Sequence, residues 1–188
     1  MAKGSGLGDL LFVNGYNLSG DVGSLSRVAC PRPTLPVTGI NSSARERVQG
    51  LSDGEISFSS WFNDAAGQEH AALKAKTDPM YCMYCANGVQ GNPAAMLVAL
   101  QLNYDGNRGA DGSLALSVQA LAKGNVAGVI TDKGLEWGTD IIGGTDTLTS
   151  PAGAGDVTVG EVTAVTTAGA AIMLHIISLT SGTPTFIV

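Results

Sequence analysis

The chain has 188 residues, 44% of them apolar and 14% charged, with a formal net charge of −6. That length builds one ordinary domain, or a domain with a small appendage, without disulfide or metal staples. The balance of apolar and charged residues excludes a disordered acidic polymer and a basic nucleic-acid binder.

The 26 glycines, together with many Ser and Thr, favour short strands joined by turns, so an all-β class is expected. Leu10-Leu11-Phe12-Val13 runs into Asn14-Gly15, the strongest short hairpin signal, and predicts a strand meeting a tight turn. From Pro31 to Gly54, three prolines and three glycines with weak periodicity predict a long loop or extended arm. Loops of that length inside compact domains usually have a job.

Glu55 to Phe62 alternates, placing Ile56, Phe58 and Phe62 on one face and Glu55, Ser57 and Ser59 on the other, which predicts a half-buried strand. Asn63-Asp64 offers N-cap chemistry, and Ala65 to Lys76 predicts one short helix. Tyr81 to Ala86 and Ala94 to Tyr104 are further strand candidates around Asn87-Gly88 and Gly91-Asn92-Pro93, the second also compatible with a buried helix. After the turn cluster of Asp105 to Gly112, Leu114, Leu116 and Val118 alternate with Ser113, Ala115, Ser117 and Gln119. The pattern breaks between Gly124 and Gly134, then resumes in Thr- and Gly-rich segments and the apolar run Ala171 to Leu179.

Two modules follow from this pass, residues 1–133 and 134–188. The second, with three or four strands and a last strand that meets no closing turn, reads as incomplete: it either packs on the first or belongs to a longer protein. Charge divides at the same place. Up to Lys133 there are ten Lys/Arg and eleven Asp/Glu, and beyond it five acids and no cation. Tight binding of a phosphate backbone needs clustered cations, so this distribution argues against it. The start Met-Ala-Lys-Gly-Ser-Gly has no signal-peptide pattern and no window is apolar enough for a membrane span, which predicts synthesis in a cytoplasm and no membrane partner.

The chemistry-bearing residues do not assemble into a reactive set. Cys82-Met83-Tyr84-Cys85 has redox spacing, but a working dithiol sits at a helix N-terminus, and residues three apart on a strand face opposite ways. Zinc would need a second pair of ligands. With Cys30 the cysteines number three, which makes no disulfide framework and predicts buried thiols. His70 reads as a solvated helix residue and His175 as a half-buried strand residue, neither beside a nucleophile elbow. Asp105, Asn107 and Asp111 lack the flanks of a calcium loop and read as a hairpin turn. No catalytic, cofactor-binding or metal-binding residue is assigned, and no enzyme activity or cofactor is expected. Arg45-Glu46-Arg47, a dense charge cluster in the long loop, reads equally as a solvated tip and as a contact with a neighbouring subunit.

The order of these features resembles the major tail proteins of siphophages. It runs from Asn14-Gly15-Tyr16 through the long loop and Asp53-Gly54-Glu55-Ile56-Ser57-Phe58 to Trp61-Phe62-Asn63 and the helix. Gly91-Asn92-Pro93-Ala94-Ala95, Asn103-Tyr104-Asp105, Asp111-Gly112-Ser113-Leu114 and Gly134-Leu135-Glu136-Trp137-Gly138 are similar to the same family in phages of actinobacteria. The resemblance implies a tail-tube-type β-sandwich or barrel with one short helix and a partial C-terminal β module. It also implies a virion location, and six-membered rings stacked into a tube through which DNA passes. The implied partners are further copies of the chain, tape-measure and tail-terminator proteins, and DNA only in transit. On that implication the lumen is lined by Glu55, Ser57, Ser59, Ser113, Ser117 and Gln119, and Arg45, Glu46 and Arg47 belong to an inter-subunit arm. The alternative is a virion-decorating or glycan-binding β-domain, which needs an exposed aromatic platform. Trp61 and Trp137 both lie beside core-like patterns and argue against one. A small β-hydrolase lacks an acid, base and nucleophile set.

Overall fold

In the computed structural model, which describes residues 5–124 and 134–143, the chain first reverses at Asn14-Gly15. Both residues hold positive φ, 49° and 83°, as the turn of a two-residue hairpin requires, and Gly15 does so without steric cost. The turn joins β1 (Leu10–Val13) to the short β2 (Tyr16–Asn17), with Val13 opposite Tyr16. The hairpin is the one the sequence predicts.

The next strand, β3 (Val22–Ala29), has no counterpart among the sequence expectations. It pairs with β6 (Glu55–Trp61), and the register shifts twice, between Val22 and Ser24 and between Leu25 and Arg27. Each shift inserts a residue. The inward positions of β3 therefore fall at Val22, Leu25 and Val28, opposite Ser60, Phe58 and Ile56. A spacing of three conceals the strand from any search for alternation.

Between these strands, Pro31 to Gly54, expected as a long loop or extended arm, is an arm that carries a hairpin. β4 (Thr34–Pro36) pairs with β5 (Arg47–Gln49) in a separate two-stranded sheet. Every residue of both strands is exposed. With neither face buried, nothing in the sequence selects an apolar period, which is why the arm reads as loop.

β6 itself alternates as expected, with Ile56 and Phe58 buried and Glu55, Ser57 and Ser59 half-buried. One position differs: the third inward place belongs to Ser60, and Phe62 lies past the strand end, 41% exposed. The helix is also shorter than Ala65 to Lys76. α1 spans Glu69–Leu73, because Gly67 at φ 79° and Lys76 at φ 45° interrupt the helical backbone on either side. Asn63 caps no helix; its Oδ1 accepts the Ala65 amide at 3.1 Å in a local turn.

β7 (Met80–Cys85) and β8 (Pro93–Gln101) pair from Met80–Ala99 to Cys85–Ala94, so the segment compatible with helix or strand is a strand. Of the segment read as a turn cluster, Asp105 to Arg108 is instead a strand, β9 (Asp105–Arg108), which pairs with β10 (Leu114–Ala122) so that the turn is confined to Gly109 to Ser113; β11 (Leu135–Thr139) adds to β8. The nine-stranded sheet runs β2-β1-β7-β8-β10-β6-β3, with β11 on β8 and β9 on β10. All these pairs are antiparallel. The described residues are thus all-β with one short helix, as expected.

One core joins the sheet to the helix. Val13, Ile56, Phe58, Met80, Cys82, Leu97 and Val118 pack with Leu18 and with Leu73 of α1, and Leu73 is fully buried. Such burial contributes about 1.5–3 kcal/mol for each large apolar side chain. Leu135 of β11 belongs to the same cluster. The module boundary near Lys133, residues 144–188 and His175 lie outside the described residues.

Candidate channel and assembly surfaces

The register of β6 against β10 sets Ser59 opposite Ser117, Ser57 opposite Gln119 and Glu55 opposite Leu121. Because side chains alternate, Glu55, Ser57, Ser59, Ser117 and Gln119 share one face, while Ile56, Phe58, Val118 and Ala120 point into the core on the other. Ser113 stands apart. It precedes β10 in the hairpin turn, where its amide and hydroxyl both donate to Asp111 Oδ1, at 3.0 and 2.7 Å.

Neighbouring strands widen the polar face. β3 brings Ser24 opposite Ser59 and Arg27 opposite Ser57, and β9 brings Asp105 opposite Ser117. Sequence reading misses Arg27 because β3 itself was hidden by its two bulges. Glu55 is the hub of this face. Its Oε1 accepts Ser57 Oγ at 2.6 Å and Gln119 Nε2 at 2.9 Å, and its Oε2 lies 3.0 Å from Arg27 Nε. The hydrogen bond from Ser57, then that from Gln119, with the Arg27 charge adding less, hold the carboxyl below its ordinary range against the opposing effect of burial.

The hairpin arm is a surface of different character. Thr34, Pro36, Thr38, Arg45 and Arg47 line an open concavity of about 570 Å³. Leu35 faces Val48 across the two strands, and both are exposed, as are Val37, Ile40 and Leu51. Glu46 is tied back within the arm: its amide donates to Thr38 Oγ1 at 3.0 Å, its carbonyl accepts the Val37 amide at 3.0 Å, and its carboxylate accepts Ser42 Oγ at 3.3 Å. Of the charged triplet, the two arginines are therefore the groups turned to the concavity.

Among the described residues, the cysteines and His70 are committed to the fold. Cys82 and Cys85 are buried thiols pushed up to about 12 by loss of solvation, the opposite of a reactive thiolate. Cys30 packs against the core cluster. His70 is not solvated as expected. Its Nδ1 lies 2.9 Å from Tyr104 Oη, which in turn lies 3.1 Å from Glu69 Oε2 as a donor. Ser60 Oγ gives its proton to Glu69 Oε1 at 3.0 Å. The serine is buried and bonded to the acid, with the histidine on the far side of Tyr104, so the set secures α1 to the sheet and activates no nucleophile. Trp61 and Trp137, read from sequence as near-core, are 53% and 56% exposed.

Neither a family model nor a curated protein matches the chain. Solved structures do. A chain of the virion of a native gene transfer agent particle superposes at TM-score 0.54 and 16% identity, covering 65% of this chain and 96% of that one. A chain from the tail of an empty gene transfer agent particle, refined helically with C6 symmetry, gives 0.50 and 17%, covering 66% and 96%. The cap of the anti-feeding prophage, described as tube-terminating, gives 0.54 and 8%, covering 74% and 93%. The fold is shared and the sequences are not. At such identities the likeness concerns backbone architecture.

Proposed function

We propose that this chain is a non-enzymatic structural protein of a phage-type tail tube, self-assembling into six-membered rings that stack around a DNA path. The fold likeness to a chain from a C6-symmetric tail supports the reading most directly. The order of sequence motifs supports the finer assignment to long, non-contractile tails of the siphophage kind. In this reading the face carrying Glu55, Ser57, Ser59, Ser117 and Gln119 lines the channel, with Ser113 at its rim. Hydroxyls and amides suit such a wall, because each free cation would hold phosphate and retard sliding.

The arm is the element that reaches a neighbouring copy. Exposed Leu35, Val37, Ile40 and Val48 supply apolar area, and Arg45 and Arg47 supply charge that fixes register. Exposed Trp61 and Trp137 remove one ground against a glycan-binding domain, but aromatic residues are equally enriched where protein surfaces meet. Electron microscopy of the purified protein, with light scattering over a wide concentration range, separates the readings. Rings or tubes are expected; a monomeric mass throughout, with no tubes, overturns the proposal.

A further inference from the structure

The guanidinium that β3 adds to the polar face is held in place. Arg27 stands opposite Ser57, and its Nε lies 3.0 Å from Glu55 Oε2. Glu55 is fixed through its other oxygen by Ser57 on its own strand and by Gln119 on β10. Three adjacent strands thus contribute to one cluster. The glutamate side chain is 15% exposed and the arginine 49%, so the cation is the more accessible partner. An exposed ion pair adds little to stability. Stability alone therefore gives little reason for an arginine beside Ser57, Ser59, Ser117 and Gln119, on a face whose other side chains, Leu121 and Trp61 among them, carry no cation.

We propose that Glu55 is a charge shield, which neutralises Arg27 and keeps its guanidinium against the sheet so that the polar face offers no free cation to DNA moving past. This rests on reading that face as the channel wall. A single unpaired arginine per copy, repeated around every ring and along the tube, would form a ladder of phosphate sites, each drawing the backbone in by counterion release. A carboxylate in contact with the guanidinium leaves a dipole, whose field falls off faster than that of a charge. Ser57 and Gln119 hold the carboxylate from the side away from Arg27 and stop it swinging into solvent.

The test uses particles whose tails are built from the variant chain, with DNA release followed by dye fluorescence. Glu55→Gln keeps the shape and removes the charge, and should slow release roughly threefold or more at about 50 mM salt, the delay vanishing near 500 mM as screening takes over. The double variant Arg27→Gln, Glu55→Gln should recover the parental rate. Slowing that the double variant does not relieve overturns the shield, because the cause then lies in the wall's shape. The pair Ser57→Arg, Ser117→Arg places bare cations on the same face. If that pair slows release and Glu55→Gln does not, the shield is wrong and the channel wall stands. If neither slows release at low salt, the channel wall falls and the shield with it. Should Glu55→Gln tails not assemble, adding Ser57→Glu restores a carboxylate opposite Arg27; a parental rate then supports the shield and a slowed one overturns it.

Discussion

Glu55 and Glu69 both accept hydrogen bonds from a serine and one further side chain, yet their surroundings move them in opposite directions. Glu69 is fully buried, and loss of solvation raises its carboxyl above the ordinary value despite the bonds from Ser60 and Tyr104. Glu55 sits on an open face, and its hydrogen bonds lower it. The signs follow from linkage. A lowered carboxyl contributes stability that is present above its unfolded value of 4.5 and lost as pH falls through the folded one. A raised carboxyl contributes stability that is complete below 4.5 and lost as pH rises through the folded value. The advantage of the parent over Glu55→Gln, in denaturant midpoints, should therefore shrink on acidification. Its standing against Glu69→Gln should worsen as pH rises toward neutrality. Parallel curves in either comparison would show that the carboxyl is not shifted in the fold. Glu69→Ala, which strands the buried Ser60 hydroxyl and takes the acceptor from the half-buried Tyr104 hydroxyl, should cost about 1–3 kcal/mol at any pH where the chain folds. Glu55 was legible from alternation alone. Glu69 was not, because Tyr104 and Ser60 are distant in sequence and helix composition says nothing about which residue turns inward.

Elements were legible in proportion to how cleanly one face is buried. β6 and β10 each bury one side, and both alternate in sequence as the pleat demands. β3 only half-buries the same side and carries two register shifts, and β4 and β5 bury neither. The hairpin arm's independence from the large sheet has a consequence that can be measured. Replacing residues 34–49 by a short Gly/Ser linker removes exposed strands and no member of the core cluster. The melting temperature should stay within about 4 °C of the parent, a change of less than about 1 kcal/mol, while tube growth is abolished. A large drop in melting temperature would make the arm part of the fold, and normal tubes would remove its role in assembly.

At the scale of the whole molecule, composition was enough for the class and not for the pairing. Glycine, threonine and alternation announce strands, but nothing local says that Leu10 lies opposite Cys85 or that β6 sits between β3 and β10. Such partners are chosen by the core they jointly close. The same dependence reaches α1 through Asp21, whose Oδ1 accepts Asn63 Nδ2 at 2.8 Å and whose Oδ2 accepts the Glu69 amide at 3.1 Å. A helix of five residues is too short to persist by itself, and here the acceptor for its first amide comes from 48 residues earlier in the chain. The order of folding events follows from that separation. The Asn14-Gly15 hairpin closes a short loop and should form early, whereas α1 must wait until the strand entered through Asp21 has docked on β6. Kinetic φ-values near zero are expected for Ala72→Gly and Asp21→Asn, so that both speed unfolding and leave the refolding rate almost unchanged. Values near one at those positions would mean that the helix helps to nucleate the sheet that serves as its scaffold.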